Sequence, residues 1–387
     1  MYDYKDDTLE FESRRMSLVV KLLEACNFKC DFCCATELVE DKSTMLHLDK
    51  IFQFLERFPN TQAMFLVGGE PLLMPPDYYR KLIDHIEEKG YPVRLSITSN
   101  LWTWYKNPEK WNWLLKHPRV EIGTSFQYGE GRKITNTRVY TERIFIDVFN
   151  KFRELIPEKE LCFISVIDET NEDSAIDNVR LAKRLGTTCR LVWATMSGRQ
   201  KTVYPMSKLF KILLELDKEG LTEYEQTALT ISEKMSGLEV ACPMARSCDQ
   251  WMRSLNPDGR YFSCGPMNDD LDPENEIDFE KEVVRGEKYH LPVKTRKDYQ
   301  VLKEECYSCK MFLTCNSCQK HIKDLKVADK VEEHCTTMKS IMDDLDAMSR
   351  RKDIVDLRLE LGMNSLVRER KFQGIIKPED SEGTPRI

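Results

Sequence analysis

Short apolar runs and amphipathic stretches alternate along residues 16–200, and this alternation limits the possible folds more than any other feature of the sequence. It predicts strands at 16–23, 63–67, 93–98, 120–126, 161–167 and 189–194, separated by helices at 47–58, 77–89, 109–116, 141–155 and 173–185. Such alternation produces a parallel sheet covered by helices. Six units favour an incomplete barrel, with an open doubly wound sheet as the alternative. In either architecture, the functional site lies at the C-terminal ends of the strands.

The overall composition argues against several classes of protein. Of 387 residues, 41% are hydrophobic and 32% are charged, which is the composition of a globular chain with enough apolar mass for a core. No apolar run reaches the roughly 18 residues of a membrane span. The polar, acidic N-terminus lacks the features of an export signal. The net charge of −7 argues against direct binding to duplex nucleic acid. We therefore expect a cytoplasmic protein that does not bind membranes.

The amino-acid composition changes after the alternating region. Residues 206–235 predict two linking helices, whereas 241–335 are rich in Pro, Gly, Asn, Asp and Cys and would need a metal to hold them. A helical pattern returns at 336–363 and is followed by a polar tail. We divide the chain into an N-terminal segment (1–15), a barrel (16–205), a helical linker (206–240), a cysteine-rich α+β domain (241–340) and a C-terminal helix with its tail (341–387).

Cysteines carry the chemical signal. The chain has 14 cysteines but 6 histidines, and without an export signal clustered thiols indicate metal or redox chemistry rather than disulfides. Cys26, Cys30 and Cys33 directly follow the first strand. Structural zinc takes four ligands, whereas a four-iron cluster held by three cysteines leaves one iron open to a small molecule. A zinc loop completed by Cys34 or by a distant residue is the alternative.

A second motif, Gly68-Gly69-Glu70-Pro71, follows the second strand, 35 residues after Cys33. Its glycines allow the backbone to approach a ligand, and Glu70 can accept a hydrogen bond from an ammonium group. A plain strand-ending turn is the other interpretation. With the cysteine spacing, and with an aromatic residue, Phe32, just before Cys33, this motif resembles the radical S-adenosylmethionine (radical SAM) family. The fold that this implies is a partial (β/α)6 radical SAM barrel.

The resemblance implies a binding site for SAM. The amine and carboxylate of SAM would chelate the open iron of a 4Fe-4S cluster on Cys26, Cys30 and Cys33, and Gly68, Gly69 and Glu70 would surround the amine. The other implied contacts lie mainly at strand ends: Ser99 and Asn100 at the polar end or ribose, Ser125 and Gln127 at the ribose, Arg138 at the carboxylate, and Phe32 and Val192 beside the adenine. Ordinary strand-end hydroxyls at Ser99 and Ser125, and a solvated helix residue at Arg138, are the alternatives.

Eight further cysteines lie between residues 242 and 335, the number that two fully ligated four-iron clusters need. Their order, together with a predicted hairpin at 256–264, resembles the SPASM extension of radical SAM enzymes. The resemblance implies two auxiliary 4Fe-4S clusters, the nearer on Cys242, Cys248, Cys264 and Cys318 and the farther on Cys306, Cys309, Cys315 and Cys335. Two residues, instead of the usual three, separate Cys315 from Cys318. A zinc knuckle at 306–318, and His334 in place of Cys335, are the alternatives.

Two sets of residues near these motifs have open roles. Cys162 and Cys189 fall in predicted strands, where a free cysteine is usually a small buried hydrophobe. Cys34 adjoins the cluster loop and is a better candidate than these two for a hydrogen-atom donor, with a structural role as the alternative. The aromatic residues that follow the third strand either pack a helix on the barrel or form a wall above the site; they are Trp102, Trp104, Tyr105, Trp111 and Trp113.

The resemblance also implies a reaction. An electron from a flavodoxin or ferredoxin would drive cleavage of SAM to a 5′-deoxyadenosyl radical, which abstracts a substrate hydrogen atom. We expect a peptide substrate, modified by oxidation, cross-linking, thioether formation or epimerisation. The first strand begins too early for the peptide-binding module that often precedes the barrel, and Gly265 argues against sulfatase maturation. A small-molecule or nucleotide-linked oxidoreductase or isomerase is the enzyme alternative, and a zinc or iron scaffold for binding is the non-enzyme alternative.

Overall fold

The structure is a computed structural model that describes residues 15–35, 44–228, 251–265, 271–273, 275–279, 283–284, 301–316, 318–351 and 353–354. The strands are β1 (Ser17–Lys21), β2 (Ala63–Val67), β3 (Arg94–Thr98), β4 (Val120–Ser125), β5 (Lys133–Thr135), β6 (Arg138–Val139), β7 (Cys162–Ile167), β8 (Cys189–Trp193), β9 (Met252–Leu255), β10 (Tyr261–Phe262), β11 (Ile277–Asp278) and β12 (Val283–Val284). The α-helices are α1 (Leu48–Arg57), α2 (Pro76–Lys89), α3 (Trp102–Lys106), α4 (Pro108–Lys116), α5 (Glu142–Leu155), α6 (Ala175–Leu185), α7 (Met206–Lys218), α8 (Phe312–Cys315), α9 (Gln319–Val327) and α10 (Val331–Arg350).

The main sheet has the order β10-β9-β1-β2-β3-β4-β7-β8. Strands β1, β2, β3, β4, β7 and β8 are parallel and lie in the order in which they occur along the chain. A doubly wound sheet would reverse that order at its switch point, so the fold is mixed α/β with the parallel sheet of a partial barrel. In the part of the chain that the structure describes, no helix combines the length and apolarity that crossing a membrane requires.

The strands alternate between a face buried under the helices and a more open inner face. Leu18, Val20 and Leu66 are fully buried on the helical side, whereas Val19 and Phe65 lie on the inner face and are partly accessible. Alternation with period two produces these two faces. The helices supply matching apolar stripes to the core, as the buried residues of α1, Ile51, Phe54 and Leu55, show.

The cysteine-rich segment contributes to the same sheet as the barrel. Strand β9 pairs in parallel with β1, with Ser17 opposite Met252, and β10 turns back antiparallel to β9. The hairpin predicted at 256–264 is therefore present, with Gly259 at φ +82° in its turn, where a residue with a Cβ atom would be strained. The C-terminal helix α10 packs along α7 and also contacts α9.

Several boundaries differ from the sequence predictions. Helix α10 begins at Val331 rather than at 336 because Asp329, at φ +54°, ends the preceding helix earlier. It ends at Arg350. The predicted helix extends to residue 363, but almost all residues after Arg350 lie outside the described ranges. The short helix α3 and the hairpin β5–β6 were not predicted. Of the second predicted linking helix, the structure describes the part up to residue 228, in which Thr222–Tyr224 form a single 3-10 turn. The rest of that helix lies outside the described residues.

Candidate cofactor site

Three predicted ligands line one pocket at the C-terminal end of β1. Cys26, Cys30 and Cys33 surround a cavity of about 240 Å³, whose other lining residues are Glu24, Ala25, Phe28, Lys29 and Arg199. Burial, followed by the charge of Glu70, raises the pKa of the Cys26 thiol to about 12. The backbone N–H of Phe28 opposes this rise by donating to Cys26 Sγ at 3.3 Å. Iron binding would deprotonate this thiol, as it does any ligating cysteine.

The donor set fits an iron–sulfur cluster better than a single metal ion. Among the described residues, no group of three or more Cys, His, Asp or Glu side chains converges closely enough to hold one ion. A zinc ion draws four ligands to about 2.0–2.3 Å from a single point. In a four-iron cluster each thiolate ligates its own iron, so the thiolates lie around the cluster rather than on one point. Three thiols around a cavity suit that second arrangement.

The two glycines bring the second motif against the cysteine loop. Gly69 N donates to Leu23 O at 2.7 Å, and Glu70 N donates to Ala25 O at 2.9 Å. A Cβ atom would lie 2.4 Å from Leu23 O at Gly68, which has φ +134°, and 2.1 Å from Ala25 O at Gly69. Real Cβ atoms do not approach that closely. Glycine is therefore required at both positions by the close approach of the cysteine-loop backbone.

Glu70 lies buried at the centre of a hydrogen-bond network, with 1% of its surface exposed. Its Oε1 accepts from Ser99 Oγ at 2.6 Å and from Leu72 N at 3.0 Å, and its Oε2 accepts from Asn100 N at 2.9 Å. Burial raises the pKa of Glu70, and these hydrogen bonds oppose the rise. A carboxylate offers about four lone-pair directions. Ser99 and Asn100 therefore hold Glu70, and about one direction is left for an ammonium group.

Asn100 also ties the third strand to the cysteine loop. Its Nδ2 donates to Asn27 Oδ1 at 2.7 Å and lies 4.0 Å from Cys26 Sγ. Asn27 in turn donates to Thr103 Oγ1 at 3.0 Å. Sequence reasoning missed Asn27, although it immediately follows the first cysteine of the motif. The network fixes the position of Cys26 relative to the end of β3.

Arg132, which sequence reasoning also missed, joins two predicted site residues. Its Nη1 donates to Ser125 Oγ at 2.8 Å and its Nη2 to Gln127 Oε1 at 2.7 Å, while Phe32 covers the guanidinium at 5.1 Å. Arg132 is 5% exposed and its Nε has no hydrogen-bond partner. No carboxylate in the described part of the chain forms an ion pair with it. A buried cation without an anion is costly, so the arrangement is suited to an anionic ligand.

Arg138, the predicted carboxylate contact, lies elsewhere. It is exposed on β6, with its guanidinium 5.8 Å from the centre of the Trp102 ring. The unpredicted hairpin β5–β6 separates the two arginines: Arg132 precedes the hairpin and is drawn inward by Ser125 and Gln127, whereas Arg138 is carried to its outer strand. The sequence contains no signal that distinguishes them, because both follow the fourth strand closely.

The remaining predicted residues fall at different depths. Phe32 packs on Gly131, where a Cβ atom would lie 3.3 Å from Phe32 Cδ1. Val192 lies half-buried on the inner face of β8, and Cys34 is half-buried beside the cysteine loop. Cys189 is fully buried, with its Sγ 3.4 Å from Ser165 Oγ, as suits a small core residue. Cys162 is half-buried on β7.

The aromatic residues after β3 divide between the two expected roles. Trp104 and Trp111 are fully buried and pack against Phe152 of α5 at 5.4 Å and Tyr79 of α2 at 5.9 Å, so they hold neighbouring helices of the barrel together. Trp102 instead reaches the cysteine loop, with its ring 6.4 Å from that of Phe28. The rings of Trp102 and Tyr105 stack at 5.5 Å.

Four cysteines of the C-terminal region interact electrostatically. Burial, followed by the charges of Cys309, Cys306 and Cys335, raises the pKa of the Cys315 thiol, so the other three thiols lie within electrostatic range of Cys315. This is the set implied for the farther auxiliary cluster. Of the other set, Cys264 follows β10 and Cys318 precedes α9, while Cys242 and Cys248 lie outside the described residues. His334, the alternative to Cys335, is turned towards α7 instead, where its Nδ1 accepts from Ser207 N at 3.4 Å.

Comparison with known proteins places one part of the chain in a family. Residues 20–182 match the family model described as the Radical SAM superfamily, so this part of the chain carries a radical SAM domain; members of that superfamily use SAM and a 4Fe-4S cluster. No sequence among the curated proteins matches the chain significantly.

Solved structures share the fold. Native anSMEcpe with bound AdoMet (another abbreviation of SAM) has a TM-score of 0.63 at 16% identity, over 87% of this chain and 99% of that one. Native anSMEcpe with bound AdoMet and the Kp18Cys peptide has a TM-score of 0.61 at 15% identity, over 86% and 98%. SuiB of Streptococcus suis bound to its precursor peptide SuiA has a TM-score of 0.54 at 14% identity, over 79% and 72%. At these identities the likeness concerns the fold.

Proposed function

We propose that this protein is a radical SAM enzyme that modifies a peptide. The observation that carries the proposal is the assembly of Cys26, Cys30 and Cys33 around one pocket. Gly69 and Glu70 of the second motif are hydrogen-bonded through their backbone N–H groups to the chain that leads into this cysteine loop. When bound, the cluster and SAM supply the reductive bond cleavage and the hydrogen-atom abstraction that follows. The chain itself binds, orients and shields these groups.

Charged and polar groups of the chain are arranged to hold the two ends of SAM. Glu70, kept in place by Ser99 and Asn100, offers its remaining lone pair to the ammonium group. Arg132, kept in place by Ser125 and Gln127, offers its unpartnered Nε–H to the carboxylate. Both groups are buried, so water competes weakly for them and each contact is strengthened. Phe32 and Val192 would flank the adenine.

We further propose that the C-terminal region holds two auxiliary 4Fe-4S clusters, as in SPASM enzymes. The farther one would use Cys306, Cys309, Cys315 and Cys335, and the effect of the other three thiols on the pKa of Cys315 supports the assignment. The nearer one would use Cys242, Cys248, Cys264 and Cys318. A flavodoxin or ferredoxin would supply electrons.

The peptide substrate is proposed from the neighbours in fold. The structures of anSMEcpe with the Kp18Cys peptide and of SuiB with SuiA show those proteins binding peptides. The inner face of this barrel offers partly accessible apolar side chains, Phe65 among them, at 36% exposure. Such a surface suits a side chain of a peptide better than a highly charged small molecule.

The test is anaerobic reconstitution followed by a count of iron and sulfide per chain. The protein is then reduced with dithionite, given SAM, and followed for 5′-deoxyadenosine by chromatography. We expect about twelve irons, four for each of three clusters, and formation of 5′-deoxyadenosine. A variant with Cys26, Cys30 and Cys33 all changed to Ala should lose about four irons and all cleavage. Folded wild-type protein without iron or cleavage would refute the proposal. About four irons with cleavage intact would refute the auxiliary clusters alone.

A further inference from the structure

One wall of the cofactor pocket comes from the loop of residues 194–200, which follows β8. Arg199 lines the pocket with Cys26, Cys30 and Cys33, and its backbone N–H donates to Cys33 O at 2.9 Å. The loop is closed by a tight turn in which Ser197 and Gln200 exchange backbone hydrogen bonds of 3.1 and 2.9 Å. Gly198 adopts φ +55° within that turn. The cysteine loop and this turn are therefore held together on one side of the pocket.

The other side of the loop is held by a buried ion pair on α9. Lys320 Nζ donates to Met196 O at 2.7 Å, and Met196 N donates to Asp324 Oδ2 at 2.9 Å. Lys320 and Asp324 pair with each other at 2.5 Å, with side chains 1% and 4% exposed. Both backbone groups of Met196 are thus bound by one charged pair, which we call the Lys320–Asp324 clasp. Helix α9 begins directly after Cys318, a proposed auxiliary-cluster ligand.

A buried ion pair is a poor way to stabilise a fold, because desolvation of the two charges offsets most of their attraction. Here both charges also satisfy backbone groups of a loop that has no sheet partner at Met196. Such a contact favours one position for the loop, since displacement would break both hydrogen bonds and leave the buried N–H and C=O of Met196 without these charged partners. The clasp therefore fixes the loop rather than merely covering it.

Arg199 is the charge that the loop brings to the pocket. The other charged residues lining it are Lys29 and Glu24, and Glu24 pairs with the buried Lys21 at 3.1 Å. Three thiolates on an iron–sulfur cluster give the site a net negative charge, which increases by one when the cluster is reduced. A guanidinium nearby stabilises the more negative state. Its effect depends on its distance, and hence on the position of the loop.

We propose that Lys320 and Asp324 are positioning residues that hold Arg199 in the wall of the cofactor pocket, and that Arg199 favours the reduced state of the cluster bound there. The inference rests on the proposed function. It also makes the C-terminal region part of the assembly of the cofactor site, through helix α9 and the loop, independently of any electron transfer through auxiliary clusters.

The test is a redox titration of the full-length, reconstituted protein followed by electron paramagnetic resonance. The signal of the cluster with the open iron is identified as the one that changes on addition of SAM. Arg199→Gln should lower the ratio of reduced to oxidised cluster about tenfold at a fixed potential, which is about 59 mV for one electron. The double variant Lys320→Met/Asp324→Leu, which replaces both charges together, should shift the potential in the same direction.

A double-mutant cycle separates positioning from general damage to the fold. Adding the clasp substitutions to Arg199→Gln should cause no further shift, because the clasp acts through Arg199. Lys323→Met is the matched control: it removes a lysine from the same helix, one that pairs with Asp272 at 2.8 Å and not with the loop. It should leave the potential unchanged. Asp324→Asn, nearly isosteric, replaces the double variant if that one does not fold.

The outcomes are distinguishable from failure of the proposed function. Iron and sulfide are counted first, and a wild-type protein that binds no cluster refutes the proposed function itself. With cluster present, an unchanged potential in Arg199→Gln overturns the role of Arg199. A shift in Arg199→Gln with none in the clasp variants, or additive shifts in the combined variant, overturns the positioning role.

Discussion

Gly69 shows how a single position can depend on the absence of a side chain. A methyl group there would lie 2.1 Å from Ala25 O, and both atoms belong to hydrogen-bonded backbone that cannot move aside. We expect Gly69→Ala to lower the free energy of unfolding by about 3 kcal/mol or more, through overpacking of backbone. Gly123→Ala is the control, because no atom lies within 4 Å of its Cβ position. Urea unfolding of iron-free protein measures both. Equal stability of the two variants would contradict this interpretation.

The two arginines after β4 give a second prediction at this scale. If Arg132 binds the carboxylate of SAM, Arg132→Gln removes a charge-assisted hydrogen bond, which is worth about 1.5–3 kcal/mol. The dissociation constant of SAM should then rise at least about tenfold, while Arg138→Gln should change it less than about twofold. Arg132→Lys keeps the charge but loses the fork that reaches Ser125 and Gln127, so its affinity should be intermediate. Equilibrium dialysis measures all three, and a larger effect at Arg138 would reverse the assignment.

The sequence predicts ligands with strong spacing rules better than residues defined by packing. Cys26, Cys30 and Cys33 are recognisable because their spacing is local, and the structure places them around one pocket. Arg132 is not recognisable, since its role depends on contacts with Ser125, Gln127 and Phe32. Polar side chains that bond each other across loops leave no period in the sequence.

The sequence predicted helices correctly where the spacing of apolar residues and a helix-ending residue indicate the same boundary. Helices α2 and α6 end at Gly90 and Gly186, which adopt φ +68° and +61°, and the helices predicted at 77–89 and 173–185 stop directly before these glycines. Helix α3 and the hairpin β5–β6 are short and were missed, because five residues or fewer carry no usable period. Their positions are set by tertiary contacts, such as the ring of Trp102 against Phe28.

The first turn of α7 is capped by two histidines from the C-terminal helices. His321 Nε2 accepts from Met206 N at 3.0 Å, and His334 Nδ1 accepts from Ser207 N at 3.4 Å. Each nitrogen must be unprotonated to accept, which leaves both imidazoles neutral. Burial lowers the pKa of His334 to about 4 and that of His321 well below its usual value.

This capping predicts that the iron-free protein loses stability in mild acid. Below about pH 6.5 the unfolded chain takes up protons on both histidines while the folded chain does not, so the free energy of unfolding falls as the pH is lowered towards the folded pKa. At pH 5 the loss from His334 is about 2 kcal/mol, and His321 adds a loss in the same direction. Urea unfolding at pH 7 and pH 5 measures it. His321→Gln keeps a hydrogen-bond acceptor but cannot titrate, so its free energy of unfolding should fall less between pH 7 and pH 5 than that of the wild type. The same fall in both proteins would contradict the prediction.

At the scale of the whole molecule, the barrel and the cysteine-rich region are joined more closely than their compositions indicate. Strand β9 extends the barrel sheet beside β1, α10 packs along α7, and the Lys320–Asp324 clasp holds a barrel loop. The sequence shows a boundary near residue 241 because the local polarity and cysteine content change there. It does not show which strand becomes the neighbour of β1, since pairing partners far apart in the chain are not encoded in any local pattern.

A chain that ends at residue 228 should therefore fail to fold, although it keeps the six parallel strands that follow one another along the chain. This shorter chain lacks β9, which pairs with β1 at the edge of the sheet. It also lacks the buried side chains of α10, namely Met338, Ile341, Leu345 and Met348. Burial of four such side chains contributes about 6–12 kcal/mol before the ordering of the helix is counted, which is comparable to the whole stability of a domain. A chain that ends at residue 354 keeps these contacts and is the control. We expect cooperative thermal unfolding, followed by circular dichroism, for the longer chain only. A soluble 1–228 fragment that unfolds cooperatively and binds about four irons would show instead that the barrel is stable without the C-terminal region.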